Sequence, residues 1–331
     1  MKLGIIGSGL IVQEFLPGLI AMADMEILAI QGTAASRDTV KDLCARYQIP
    51  YAVCSFEELC ATGIDTVYVA VPNFLHFEYC RKALESGYNV IVEKPITSNL
   101  EEARVLQQLA EKKKRFLFEA ITTAYLGNYK KIREWLPRIG DVKIAQSQYS
   151  QYSSRYDAFQ EGKTLPVFDP AKSGGALMDL NLYNLHYIMG LFGKPEDAMY
   201  TANIERGIDT SGVVVLKYPK FTAICMAAKD CKGLTGGFIQ GTKGCIRSMS
   251  SPNFVGEVRL ELNDGTVEIY DDHGSDKRWI PEFHAFIKAV TENNFDFCRK
   301  MLDASISVSE LQTKLRLDAG IRFPADDEYM Q

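Results

Sequence analysis

The sequence predicts an α/β protein: a doubly wound parallel sheet followed by an α+β domain with a large, mostly antiparallel sheet. Three observations carry this. The chain opens on a strand, a glycine turn and a helix within residues 3–20. Strands then alternate with helices over roughly the first 120 residues, the pattern of a parallel sheet covered on both faces. Beyond Thr123 strands follow one another mostly without helices between them. At 331 residues, two domains are the natural expectation, divided as 1–122 and 123–331.

Composition narrows the function. Hydrophobic residues at 47% and charged residues at 24% are those of an ordinary globular protein. A formal net charge of −5 offers no general attraction to nucleic acid or an anionic membrane. The basic run Lys112-Lys113-Lys114-Arg115 closes an expected helix, where cations suit the dipole. The eight cysteines form no CxxC pair and few lie near a histidine, which argues against a metal or redox motif and fits a reducing, cytoplasmic compartment. No apolar run approaches the roughly 18 residues of a membrane helix. Lys2, an apolar stretch and Ala21-Met22-Ala23 superficially suggest a signal peptide, but Glu14 interrupts the stretch.

Taken in order, residues 3–6 form a strand and Gly7-Ser8-Gly9-Leu10-Ile11-Val12 the turn into a helix. Gly7 and Gly9 are the first two glycines of a GxGxxG fingerprint, permitting a tight turn and close approach of a pyrophosphate to the helix N-terminus; Val12 replaces the third. The second strand, residues 26–30, ends where a dinucleotide's adenosine ribose would sit. Residues 31–35 supply no acid for a 2′-hydroxyl, and Ser36-Arg37 suits a 2′-phosphate, so NADP is expected with NAD as the alternative. A helix over 38–47 and a strand over 64–71 follow, then Pro72-Asn73 and a helix start carrying His76.

The β-branched run 89–92 ends abruptly on Glu93-Lys94-Pro95. Ligands of open α/β sheets sit outside the carboxyl ends of the strands, so Lys94 is placed to meet one, and the proline admits a cis bond that would aim it. Ser98-x-x-Glu101 reads as a capping box opening a helix to residue 112, and 116–120 gives one more strand.

In the second half, 142–152, 198–205, 212–218 and 221–228 read as strands, and 257–262 and 266–270 as a hairpin about Asn263-Asp264-Gly265. Helices are expected over 281–292 and 307–321. Between the first two strands, Gly174-Gly175-Ala176-Leu177 leads into a helix on which Asp179, Tyr183 and His186 are spaced i, i+4, i+7 and so share a face. Acid, phenol and imidazole on one face are either a reactive group or a buried trio that fixes packing.

Together the glycine turn, Val71-Pro72-Asn73-x-x-His76, Glu93-Lys94-Pro95, and Gly174-Gly175-Ala176-Leu177-x-Asp179 with Tyr183 resemble the glucose–fructose oxidoreductase, inositol dehydrogenase and MocA (Gfo/Idh/MocA) family over essentially the whole chain. The resemblance implies an N-terminal Rossmann domain and a C-terminal domain whose sheet binds substrate and builds homodimers or homotetramers. It implies dinucleotide contacts from Gly7, Ser8, Gly9, Leu10, Ile11, Ser36, Arg37, Pro72, Asn73, His76, Glu93, Lys94 and Pro95. It places Lys94 between nicotinamide and substrate, and gives Tyr183 the acid/base role with Asp179 beside it, the pattern of the dihydrodiol and xylose dehydrogenase branch; the segment 152–170, with Arg155, looks like that branch as well. His186 is the rival acid/base.

Three departures from the pattern stand out: Val12 in the turn, Asn181 where glycine is frequent and where a side chain would reach the pocket, and an apparent insertion at 31–35 before Ser36-Arg37. The activity expected is hydride transfer between NADP or NAD and a sugar, polyol or dihydrodiol. A non-catalytic NADP-binding regulator and a C=N reductase are the alternatives.

Overall fold

The computed structural model describes residues 1–273 and 277–327. Two compact units emerge, one formed by Met1–Ala120 with Phe283–Asp303 and the other by Ile121–Glu282 with Ala304–Gln331.

The first unit is a six-stranded parallel sheet. In chain order it runs β1 (Lys2–Ile6), α1 (Leu10–Ile20), β2 (Glu26–Gln31), α2 (Arg37–Tyr47), β3 (Tyr51–Val53), α3 (Phe56–Cys60), β4 (Thr66–Val69), α4 (His76–Glu85), β5 (Asn89–Glu93), α5 (Leu100–Lys113) and β6 (Leu117–Ala120). The strand order β3-β2-β1-β4-β5-β6 is that of a Rossmann sheet, with its switch point between β1 and β4. Strands β4, β5 and β6 are buried at every position, as strands covered on both faces must be. α5 starts one residue later than its sequence cue. Asn99 is the cap, accepting from the Glu102 amide at 3.0 Å, and Glu102 reaches back to the Ser98 amide, so the box is Asn99-x-x-Glu102.

Residues 283–303 join this unit through aromatic packing. Phe283 meets Tyr68 edge-on at 5.5 Å, Phe286 stacks on Phe118 at 4.6 Å and Phe295 on Phe116 at 4.2 Å. The Cys298 thiol donates to the Leu117 carbonyl.

The second unit carries α6 (Gly127–Trp135), β7 (Val142–Ser150), α7 (Tyr156–Gln160), a π-helical turn Leu177–Asn181 running into α8 (Leu182–Phe192), and strands β8 (Asp197–Glu205), β9 (Ile208–Lys217), β10 (Thr222–Ala228), β11 (Gly236–Gly241), β12 (Gly244–Ser248), β13 (Val258–Leu262) and β14 (Val267–Tyr270). Its eight strands lie in the order β14-β13-β12-β11-β7-β10-β9-β8, antiparallel except for β7 beside β10. One face packs under α8 and α6 around Tyr129, Trp135, Leu185, Ile188, Val214 and Ile239. Strands β11 and β12 escape the sequence pattern because glycines 236, 237, 241 and 244 dilute it; a Cβ on Gly237 would collide with Tyr187, which fills that space.

After α9 (Trp279–Thr291), α10 runs Phe295–Asp318, twelve residues earlier in its start than periodicity indicated, and α11 (Pro324–Asp327) follows. α11 is held by Asp326, which receives two hydrogen bonds of 2.7 Å from the buried Arg316. Among the described residues no helix is long and apolar enough to cross a membrane.

Phe283 is fully buried, and its removal tests whether 283–303 belongs structurally to the first unit. Phe283→Ala is expected to lower stability by about 3–5 kcal/mol, read as a reduced urea midpoint. An unchanged midpoint would refute that packing.

Candidate active site

The chemistry-bearing side chains share one property: each is the open position in a stretch that is otherwise buried. Along residues 89–99 every residue is buried except Lys94. Along 173–189 every residue is buried except Asp179 and Tyr183. A buried, close-packed run keeps the side chains that leave it in a fixed direction because its neighbours cannot rearrange.

In the first unit a cleft of about 350 Å³ lies at the switch point, bordered by Gly7, Ser8, Gly9, Gln31, Ser36 and Pro72. Gly7 adopts φ +116°, and a Cβ there would be driven into the Ala70 carbonyl. Its own amide donates to the Gln31 carbonyl at 2.9 Å, which pins the turn to β2. Gly9 is the N-cap of α1 with no side-chain cap, and open space surrounds the position of a Cβ. The amides of the first turn, including Leu10 and Ile11, are therefore available to an anion. Val12 is buried in the packed face of α1, so it leaves the turn clear. Gln31 adds a signal the sequence did not offer: its Oε1 is buried with no partner among the described residues, and it borders the cleft. A nucleoside hydroxyl or amino group supplies the donor that this oxygen needs. The residues present thus fit a dinucleotide.

Ser36 and Arg37 separate. The Ser36 hydroxyl borders the cleft, 2.9 Å from the Thr33 amide in a reciprocal cap. Arg37 lines a neighbouring crevice with Lys41 and Cys54. Pro72 borders the cleft, and Asn73 opens the short helical turn Asn73–Leu75 after it.

His76 is fully buried. Its Nδ1 lies 2.7 Å from the Pro95 carbonyl and its Nε2 2.9 Å from the Val71 carbonyl, so the ring ties the end of β4 to the end of β5. Burial pulls its pKa down against the two carbonyls. Glu93 is buried and accepts from the Tyr68 hydroxyl; burial pushes its carboxyl up, the Tyr68 bond opposing. Glu119 receives the Ile96 amide at 2.8 Å. Lys94 and Pro95, joined by a cis peptide bond, are held between these contacts.

In the second unit Asp209 builds the start of the π-turn. Its carboxylate accepts from the Leu177 amide at 2.6 Å and the Tyr200 hydroxyl at 2.7 Å, and Gly175, at φ +105°, has no Cβ to obstruct it. The Leu177 carbonyl is taken by the Gln312 side chain at 2.9 Å, which suits a turn wound wider than an α-helix. Asp179 within this turn and Tyr183 after it stay open, whereas His186 is buried. Asn181 also departs from expectation. It is fully buried and bonded to Asn184 at 2.9 Å and to the Cys225 carbonyl, so it braces the helix on β10 instead of reaching the pocket. Lys229, which the sequence did not single out, ion-pairs with Asp179; fifty positions separate them in the chain.

Residues 1–121 match the family description "Oxidoreductase family, NAD-binding Rossmann fold", and 129–247 match "GFO/IDH/MocA C-terminal domain". A scyllo-inositol 2-dehydrogenase (NADP(+)) from Bacillus subtilis is 30% identical over 98% of this chain and 99% of its own. The chain belongs to the Gfo/Idh/MocA oxidoreductase family. A trans-1,2-dihydrobenzene-1,2-diol dehydrogenase of Mus musculus is 27% identical over 74% of this chain and 73% of its own. Among solved structures, the fold of a 3-ketoreductase from Actinomadura kijaniata, crystallised with NADP and TDP-benzene, superposes with a TM-score of 0.82 at 21% identity, covering 98% of both chains. The Rossmann sheet and the eight-stranded sheet described above are the two parts of this Gfo/Idh/MocA architecture.

Burial pushes the Asp209 carboxyl up to about 6, against the Tyr200 and Leu177 hydrogen bonds that hold it down. A folded value above the unfolded one means that its stabilising contribution is present in full below pH 4 or so and is lost as pH rises through about 6. Stability is expected to fall across that window by on the order of 3 kcal/mol, and Asp209→Asn to flatten the slope. Denaturant melts at a series of pH values measure it, and a slope that survives the substitution would refute the assignment to Asp209.

Proposed function

We propose that the protein is an NADP-dependent dehydrogenase of a secondary alcohol in a polyol or sugar-like molecule, with Tyr183 moving the hydroxyl proton and Lys94 and Asp179 serving it. The observation that carries this reading is the pattern of burial, in which Lys94, Asp179 and Tyr183 alone stay open in their two buried stretches. The full-length similarity to an NADP(+)-dependent scyllo-inositol dehydrogenase supports both the substrate class and the cofactor.

A bound nicotinamide supplies the hydride acceptor or donor. The rest falls to side chains. An ordinary tyrosine has a pKa of about 10, and an ammonium close by favours the phenolate. Lys94 is assigned that function, and its N–H groups also serve the substrate oxygen. Asp179 accepts from a second hydroxyl of the substrate, which is why vicinal diols and polyols suit the site. Gly7, Ser8, Gly9, Leu10 and Ile11 are assigned to the pyrophosphate and Ser36 to the 2′-phosphate, with Arg37 approaching from the adjoining crevice. His76, Glu93 and Pro95 act by holding the Lys94 loop, and Pro72 and Asn73 line its approach. The units are assigned accordingly, dinucleotide to the first and substrate to the second.

Turnover of scyllo-inositol with NADP, measured beside NADPH and NADH fluorescence titrations, tests the reading. Tyr183→Phe and Lys94→Met are each expected to lower kcat by about 10²-fold or more while NADPH affinity survives. Full activity in Tyr183→Phe would remove it from the acid/base role.

We also infer a homo-oligomer in a cytoplasmic setting, where the eight free thiols fit a reducing medium. The sheet face opposite α8 presents Ile144, Met199, Val213, Val267 and Ile269 to solvent, and register places Met199 against Val215 and Val213 against Met226 on that face. Apolar side chains exposed on this face, beside the charged Arg247, Arg259 and Glu261, suit a second copy of the chain. Light scattering is expected to give a dimer or tetramer, and Val213→Glu with Met199→Glu to give monomers; a monomeric wild-type protein would exclude the inference.

A further inference from the structure

Lys229 follows β10, and its side chain is only 4% exposed, whereas its ion-pair partner Asp179 is 26% exposed. Its backbone amide donates to the Thr210 carbonyl at 2.8 Å, which fixes the base of the side chain to β9. Its ammonium lies 5.5 Å from the centre of the Phe168 ring, so the cation sits between an aromatic face and a carboxylate. Lys229 thus stands behind the open acid.

The position of Asp179 raises a difficulty for the reaction. It lies within the π-turn, four residues before Tyr183, and both are open. A carboxylate beside a phenol opposes formation of the phenolate. Several other titratable groups lie in this part of the unit. Tyr149 lies with its ring 6.2 Å from that of Tyr183. Asp209 on β9 is held by Leu177 and Tyr200, and Asp230 accepts the Thr210 and Ser211 hydroxyls at 2.8 and 2.7 Å. Tyr156 is bonded to Glu205, and His186 on α8 is buried. Lys229 is a cation in salt-bridge contact with Asp179.

We propose that Lys229 is a positioning residue of the reaction: it fixes the Asp179 carboxylate and cancels its charge at Tyr183, so that the phenol exchanges its proton near neutral pH. This rests on the assignment of Tyr183 as the acid/base. A buried ion pair with a purely architectural role would leave the proton chemistry of Tyr183 untouched, and that difference is measurable.

The experiment uses the full-length protein with scyllo-inositol and NADP as probes, comparing Lys229→Met, Lys229→Arg, Asp179→Asn and the double variant Asp179→Asn with Lys229→Met. In Lys229→Met the limb of log kcat that rises with pH is expected to move up by about one pH unit, and kcat near neutrality to fall about tenfold. NADPH affinity stays unchanged. Lys229→Arg restores the limb, and the double variant shows the same limb as Asp179→Asn alone, because the cation acts through that carboxylate. A wild-type limb in Lys229→Met, or a double variant displaced from Asp179→Asn, overturns the proposal.

A second readout needs no turnover. In protein labelled with [13Cζ]tyrosine, the Tyr183 resonance is identified by its loss in Tyr183→Phe, and its titration midpoint is expected to rise in Lys229→Met. A protein that turns over no polyol but shows this rise refutes the functional reading and keeps Lys229 in its role. A polyol-active protein without the rise does the reverse. Should Lys229→Met fail to fold, the double variant against Asp179→Asn decides the matter.

Discussion

Backbone groups at the ends of buried strands must find partners without water, and in this protein buried polar side chains provide them. His76 bridges the Val71 and Pro95 carbonyls, Glu119 takes the Ile96 amide, Asn89 takes the Phe116 amide at 3.1 Å, and Asp209 takes the Leu177 amide. An unpaired buried backbone group would cost about 1–3 kcal/mol, and each of these side chains would itself be costly without its bond. The two requirements satisfy each other. The outcome is a loop around Lys94 and a turn before Tyr183 whose backbones have little freedom, so the few side chains that leave the packed interior do so in set directions.

Charge follows from the same constraint. In the first unit the buried acids Glu93 and Glu119 stand among hydrogen-bond donors, and burial holds the Glu93 carboxyl above its ordinary range. In the second unit Asp209 is raised by burial, Asp179 is paired with Lys229, and Asp230 is met by two hydroxyls. Surface pairs such as Arg81 with Glu85 or Lys314 with Asp318 are exposed on both sides and contribute at most a few tenths of a kcal/mol, so they fix helices and little else. The electrostatics that matter here are buried ones.

Much of this architecture is legible in the sequence because it rests on local signals. The glycine turn, the strand ending on Glu93-Lys94-Pro95 and the alternation through β6 each depend on neighbouring residues, and the Rossmann order follows from them. The signals failed where long-range contacts decide. β11 and β12 are rich in glycine because Tyr187 and neighbouring strands occupy the space of a side chain. The first half of α10 is dictated by Phe116 and Leu117, nearly two hundred positions earlier. Lys229 meets Asp179 across fifty residues, and nothing in the stretch Ala227-Ala228-Lys229-Asp230 names that partner. The sequence leaves Asn181 free to reach a pocket because periodicity does not reveal that a β10 carbonyl awaits it. A capping box displaced by one residue, Asn99 for Ser98, is the ordinary ambiguity of adjacent polar residues.

The wide turn Leu177–Asn181 has a consequence for how this chain can diverge. A π-turn holds one residue more than the α-turn it replaces, and each completes one revolution, so deleting that residue would restore regular winding and leave the residues before the turn facing nearly as they do now relative to α8. Asp179 and Tyr183, with one residue fewer between them, would stand three positions apart and still be neighbours on one face. Point substitutions inside the turn alter the chemistry offered, whereas loss of its extra residue narrows the turn and redirects the side chains within it. Descendants of this chain that keep the number of residues between Gly175 and Leu182 inherit the geometry as a unit, and those that lose one begin from a different arrangement of the same side chains.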